Sequence, residues 1–298
     1  MNEQDWLAEQ FEAHRPRLRG VAYRMLGSLS DADDALQDAW LRVSRAGADD
    51  VENLAGWLTT IVGRVSLNRL RARRTRREVP LPVGLPEPIV TSDDGADPAD
   101  EVVLADSIGL ALLVVLDTLA PAERVAFVLH DMFGVPYAEI GRIVDRSPVT
   151  ARQLASRARR RVRGVALPDT DRRSQRQLVD SFVAAVRAGD FERLIAVLAP
   201  DVVLRADYGP ARPTASTEVR GAEIVARQAL TFSRLAGAAR RVLVNGEAGL
   251  VVVPGRRPFA VIAFTVSHGR IAEIDILADP ERVGRLDLLG LTSPDHPS

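Results

Sequence analysis

Across residues 137–163, YAEIGRIVDRSPVTARQLASRARRRVR, apolar positions recur every three or four residues. Tyr137, Ile140, Ile143 and Val144 form one such set, and Ala151, Leu154, Ala155, Ala158 and Val162 form another after a break. That period places each set on one face of a helix. In the break, Ser147 offers an N-cap oxygen and Pro148 suits the first helical position, where no backbone donor is needed. The spacing predicts two helices around a tight turn. On the second, Arg152, Gln153, Ser156, Arg157 and Arg160 point away from the core, and residues 152–163 hold six arginines and no acid. Side chains of this kind neutralise phosphates and read base edges. An amphipathic helix with a merely solvated basic face is the bland alternative, which the turn and the paired first helix weaken.

The same periodicity predicts helices near 6–26, 31–45 and 54–74, an all-α domain over 1–77. Ser30 with Asp33 reads as a capping-box start. The helix that follows, DADDALQDAWLRV, turns Ala32, Ala35, Leu36, Ala39 and Val43 inward and Asp34 and Asp38 outward around Gln37. In the next, Trp57, Leu58, Ile61, Val62 and Val65 keep the apolar period before NRLRARRTRR turns it basic. Residues 78–100 carry five prolines and a closing acidic run, which no helix or central strand tolerates, so they form a linker. Helices resume over 101–166 as a second all-α domain ending in the pair described first. Over 174–290 the pattern becomes α+β: helices near 175–188 and 190–198, then β-branched runs RVLVN, GLVVV, FAVIAFTVS and RIAEIDIL divided by Gly246, Pro254-Gly255 and His268-Gly269. These runs read as an antiparallel meander.

Composition narrows the chemistry. The 298 residues are 46% apolar and 27% charged, ordinary for globular domains, with a net charge of −1. The cations cluster at residues 69–77 and 152–163, six arginines in each. Every basic residue is arginine. Cysteine is absent and only four histidines occur, which excludes disulfides and thiolate chemistry and leaves no expected metal or cofactor. No signal-peptide pattern opens the chain, and the longest apolar run, Ile108–Leu116, is too short to span a bilayer, so a cytoplasmic protein without a membrane is expected.

Taken together, DADDALQDAWLRV, WLTTIVGRV and PAERVAFVLHDMFGVPYAEIGRIV resemble the extracytoplasmic-function sigma factors of bacterial RNA polymerase over residues 1–165. GLPEP at 84–88 and the α+β region resemble the subgroup with a SnoaL-like, polyketide-cyclase-type extension. The resemblance implies a multidomain fold: sigma region 2, sigma region 4 with a helix-turn-helix, and a SnoaL-like α+β cone. It implies core RNA polymerase and promoter DNA as partners. Asp34, Leu36, Gln37, Asp38 and Trp40 would meet the polymerase clamp, against a merely solvated acidic face. Asn68, Arg69, Arg71 and Arg73 would hold the minus-10 strand, with a flipped base in the loop before Trp57, itself read as a core aromatic. Arg152, Gln153, Ser156, Arg157 and Arg160 would enter the minus-35 major groove. Asp93, Asp94, Asp97 and Asp100 would mimic a nucleic-acid backbone in the RNA exit channel, or simply solvate the linker.

SnoaL-like folds enclose an apolar pocket, in which a carboxylate or histidine serves the enzymes among them. Glu273 and Asp275 share one face of RIAEIDIL and could project there or form a structural ion pair. The domain is read as a regulator in cis with a possible small-molecule ligand. The rival readings are a cyclase or isomerase fused to a DNA-binding module, and a helix-turn-helix repressor or activator that works apart from polymerase.

Overall fold

The computed structural model describes residues 3–47, 51–76, 84–93, 109–164, 168–169, 171–286 and 288. The chain divides into two compact units, one of residues 1–79 and 112–165, the other of 80–111 and 166–298.

In the first unit α1 (Glu3–Leu26), α2 (Leu29–Ala46) and α3 (Leu54–Arg76) pack on one another. Ser28 rather than Ser30 caps α2, its Oγ accepting the Asp31 amide at 3.3 Å. Gly27 adopts φ 73°, which ends α1 in one residue and brings the next helix start forward. Four shorter helices follow: α4 (Leu110–Thr118), α5 (Pro121–Phe127) with a widened π-turn at Val128–Met132, α6 (Tyr137–Val144) and α7 (Pro148–Val162). The helix expected from residue 101 is seen from Leu110, and residues 101–108 lie outside the described set.

The two helical regions share one core. Helix α3 packs on α5 and α6. At the crossing Gly63 has no side chain, and a methyl there would stand 3.2 Å from Leu129 Cδ1 and 3.4 Å from Ile143 Cδ1. Arg124, 1% exposed, donates from Nε to the Arg24 carbonyl at 3.1 Å and pairs through Nη1 with Asp117 at 2.9 Å. Arg64 donates to the Arg142 carbonyl at 3.1 Å. The Arg124 bonds give the buried guanidinium partners that water no longer supplies.

The helix-turn-helix forms as its spacing predicts. Ser147 Oγ accepts the Thr150 amide at 3.2 Å, and Pro148 is the first residue of α7. Ala151, Ala155 and Ala158 are fully buried, and their small side chains let α7 lie close on α5 and α6. Asp145 turns the chain at φ 60°, and the Arg146 amide bonds back to the Gly141 carbonyl at 2.9 Å.

In the second unit α8 (Arg172–Ala188), α9 (Phe191–Val197), α10 (Ala222–Thr231) and a 3-10 turn at Ser233–Ala238 cover one face of a seven-stranded sheet. Its strands are β1 (Val90–Thr91), β2 (Leu198–Asp207), β3 (Thr217–Arg220), β4 (Ala239–Val244), β5 (Glu247–Val252), β6 (Ala260–Ser267) and β7 (Arg270–Leu277), in the order β1-β4-β5-β6-β7-β2-β3. Strands β4 to β7 are the expected meander. Asn245-Gly246 and His268-Gly269 close two of its hairpins with positive φ at both residues, as the primed two-residue turns require. The pattern did not announce β2, which pairs parallel with β7, or the short β1 and β3. A further helix, α11 (Pro280–Arg285), follows. This is the α+β, SnoaL-like architecture. Among the described residues, no helix is long and apolar enough to cross a membrane.

A Cβ at Gly141 would stand 2.7 Å from the Arg146 carbonyl oxygen, a backbone atom that cannot rotate aside. Gly141→Ala should therefore destabilise the first unit by about 1–3 kcal/mol, read as a lowered Tm of the full chain.

Candidate nucleic-acid interface

Helix α7 turns Ala151, Ala155 and Ala158 inward, so Arg152, Gln153, Ser156, Arg157 and Arg160 emerge together, all exposed. Two further arginines of this helix are tied down: Arg159 Nε bonds Asp131 at 2.6 Å, and Arg161 Nη1 bonds Glu123 at 3.0 Å. These ion pairs separate structural arginines from presented ones, which the sequence pattern alone does not. Val149, 68% exposed on the first turn of α7, joins the presented face. Its apolar character removed it from a search for basic and polar readers.

One candidate minus-10 residue is tied to two candidate clamp residues. Arg69 on α3 reaches α2, with Nη2 on Asp38 Oδ2 at 2.6 Å and Nη1 3.6 Å from Asp34. Arg73 bonds Asp31 and donates to the Leu26 carbonyl at 2.8 Å. Asn68 and Arg71 are exposed beside them. Leu36, expected at the clamp surface, is fully buried in the three-helix core, because it falls on the inward face with Ala32, Ala35 and Ala39. The surface around it is Asp34 and Gln37, with exposed Leu41 one turn on. Trp40 is part-buried against Phe11, ring centroids 5.2 Å apart, and Trp57 is also part-buried. Asp93, expected to stand free as a phosphate mimic, pairs with Arg176 at 2.6 Å. Asp94, Asp97 and Asp100 lie outside the described residues.

The α+β unit encloses a cavity of about 100 Å³ under its helices, walled in part by Ile274 and Ile276 of β7. Strand alternation therefore puts Glu273 and Asp275 on the opposite face of the sheet, correcting the expectation that either could enter the pocket. There they bond Arg205 Nη1 at 2.6 and 3.0 Å. Burial raises the Asp275 carboxyl to about 6, with Arg205 opposing the shift. Burial first, then the charges of Asp275 and Glu273, push Glu247 up to about 8.

The linker segment is fastened to this unit. The Leu85 amide donates to Asp207 Oδ2 at 3.0 Å, Arg282 Nη1 pairs with the same oxygen at 2.6 Å, and Arg282 Nη2 reaches the Leu85 carbonyl at 2.5 Å. The Gly209 amide takes Asp207 Oδ1 at 2.9 Å. Further along, Ile89 and Asn245 exchange two bonds, the Asn245 side chain accepting the Ile89 amide at 3.0 Å and the Asn245 amide donating to the Ile89 carbonyl at 2.7 Å. GLPEP and the ADYGP stretch at 206–210 are thus joined through Asp207, with α11 supplying the arginine.

Known proteins agree with this arrangement. The family described as Sigma-70 region 2 matches residues 10–76, and Sigma-70, region 4 matches residues 109–162. The chain is 41% identical to the ECF RNA polymerase sigma factor SigJ of Mycobacterium tuberculosis, with 92% of each covered. The chain belongs to the extracytoplasmic-function RNA polymerase sigma factors. The crystal structure of the M. tuberculosis factor SigJ superposes with a TM-score of 0.75 at 35% identity, covering 94% of this chain and 99% of that one. The SigG factor of the same organism is 31% identical over 64% of this chain and 59% of its own length. The protein is thus an alternative sigma factor of the type with a C-terminal SnoaL-like extension, and its sigma regions imply core RNA polymerase and promoter DNA as partners.

Two features of this sigma factor escaped the sequence reading. Asp207 and Arg282 lie 75 residues apart on a strand end and a terminal helix, so no local period joins them. Glu247 immediately follows the Asn245-Gly246 turn, where an acid is expected to be solvated.

Its raised pKa has a definite sign. Between about 4.5 and 8 the native state keeps the Glu247 proton and the unfolded chain has lost it, so stability falls as pH rises through that window. Glu247→Gln should raise the Tm near pH 8.5 and leave it nearly unchanged near pH 5. Equal effects at both pH values would remove titration as the cause.

Proposed function

We propose that this sigma factor reads the minus-35 element with the exposed face of α7, Arg152 and Gln153 meeting bases and Ser156, Arg157 and Arg160 holding the backbone. The observation that carries this reading is the joint exposure of those five side chains on a capped helix whose other arginines are already paired. Val149, beside Arg152 and Gln153, suits apolar contact with a thymine methyl. For the minus-10 strand, Asn68 and Arg71 are presented, while Arg69 and Arg73 must exchange carboxylates for phosphates. Asp34, Gln37 and Asp38, with Trp40 behind them, form the rim offered to the polymerase clamp. These partners place its work in the cytoplasm.

The SnoaL-like domain is read as a regulator in cis rather than an enzyme. Its cavity offers Tyr208 and Gln228 as polar wall groups, and Glu273 and Asp275 are committed to Arg205 on the other face. Its hold on the linker at Leu85 and Ile89 gives it a mechanical grip on the segment that joins the two sigma regions.

Run-off transcription with purified core polymerase tests the assignment. The full chain should yield a specific transcript, and no transcript from either the full chain or a truncation after about residue 170 would overturn it. Arg152→Ala should cost about 1–3 kcal/mol on the preferred promoter and little on unrelated DNA. An equal loss on both would make Arg152 a phosphate contact.

A further inference from the structure

The cavity of the SnoaL-like domain is closed by α8, α10 and the 3-10 turn above the inner face of β2, β5, β6 and β7. Phe182, Leu204, Ala229, Leu250, Ile274 and Ile276 make most of its wall apolar. Phe232 and Phe259 line it and are each 39% exposed, so they mark its opening to solvent. Among the described residues no carboxylate, arginine or histidine lines it, and a charged guest would lose its hydration without a partner. Tyr208 and Gln228 are the polar residues of the wall. Neither the Tyr208 hydroxyl nor the Gln228 amide has a side-chain hydrogen bond among the described residues, so each can serve a guest. Burial pushes the Tyr208 hydroxyl pKa up, which keeps it a neutral donor.

Size limits the guest. At about 100 Å³ the space is somewhat smaller than the apolar void of about 150 Å³ that admits benzene in an engineered protein. One ring is therefore the upper limit, with part of the guest passing between Phe232 and Phe259.

The position of Tyr208 gives the cavity an outlet. Ala206 and Tyr208 face the cavity, and Asp207 between them faces the other way, where its carboxylate holds the Leu85 amide, the Gly209 amide and Arg282. The Tyr208 amide is fixed by Ser216 Oγ at 3.0 Å. A guest that fixes the Tyr208 ring also fixes the peptide units on either side of Asp207, and hence the carboxylate that grips the linker.

We propose that this cavity binds a neutral one-ring molecule with a single hydroxyl or amide-like substituent, and that occupancy tightens the Asp207 clasp on the linker at Leu85. The proposal deepens, and rests on, the reading of the domain as a regulator in cis.

Phenol serves as the probe and benzoate, of similar size but charged, as its control, titrated into the full-length chain by isothermal calorimetry. Saturable 1:1 binding of phenol is expected, with benzoate at least tenfold weaker. Ala229→Leu, which fills the cavity, should weaken phenol at least tenfold with an unchanged circular dichroism spectrum. Tyr208→Phe, which keeps the ring, should weaken it about two- to tenfold. Amide hydrogen exchange at Leu85 should slow at least threefold with phenol at saturation.

Absence of saturable phenol binding, equal binding of benzoate, or full binding by a folded Ala229→Leu or Tyr208→Phe chain would overturn the site. Binding that leaves Leu85 exchange unchanged would overturn the coupling. None of these readouts involves polymerase, so their failure is distinct from failure of the regulatory reading, which transcription by the truncated chain decides.

Discussion

The contact of α3 with α5 and α6, where Gly63 admits Leu129 and Ile143, is the constraint on which the rest of this sigma factor turns. It joins the helix that carries the minus-10 candidates to the helix-turn-helix that carries the minus-35 candidates in a single core, sealed by the buried Arg124. Promoter elements whose centres lie 25 base pairs apart are separated by roughly 85 Å of duplex at about 3.4 Å per pair. A packed unit of this size is roughly 40 Å across. On the proposed readings of α3 and α7, this seam parts before one molecule grips both elements. Arg69 and Arg73 are paired with Asp38 and Asp31, and on the proposed reading they exchange these carboxylates for phosphates. An exchange of carboxylate for phosphate is close to balanced in water, which suits a contact that must be reversible.

The linker enters the same logic from the other unit. Its Leu85 and Ile89 are held by backbone and side-chain bonds to Asp207, Arg282 and Asn245, all among buried or part-buried groups where such bonds matter most. A linker so fastened has less freedom to pay out as the sigma regions separate. On the proposed reading, the SnoaL-like domain acts through the length of linker it holds or releases. The part-buried Glu247 and the buried Asp275 add a pH-dependent cost on the same sheet.

What the sequence made legible followed from local rules. Ser147 and Pro148, the alanine stripe of α7 and the Asn245-Gly246 and His268-Gly269 turns act within a few residues of themselves, so their effect can be read from spacing. The period of Leu36 with Ala32 and Ala39 puts it inside, as the structure has it, so the clamp contact implied by the resemblance falls to its exposed neighbours. Strand β2 was missed because its partner β7 lies some seventy residues away and pairs in parallel, a connection no hairpin signal marks. The Asp207 clasp and the pairing of Asp93 with Arg176 are long-range for the same reason. Arginines on one helix look alike in sequence, and only the positions of Asp131 and Glu123 separate those that hold the fold from those presented outward.

The absence of cysteine makes the separation of the sigma regions directly measurable, since labels attach only where cysteine is introduced. Spin labels at Ala72→Cys on α3 and Arg163→Cys at the end of α7, both exposed, report the distance by pulsed dipolar spectroscopy. A single narrow, short distance is expected for the free chain, lengthening by tens of ångströms when core polymerase and promoter DNA are added. A distance that stays short in a transcribing complex, or that is already long and broad in the free chain, would contradict the account.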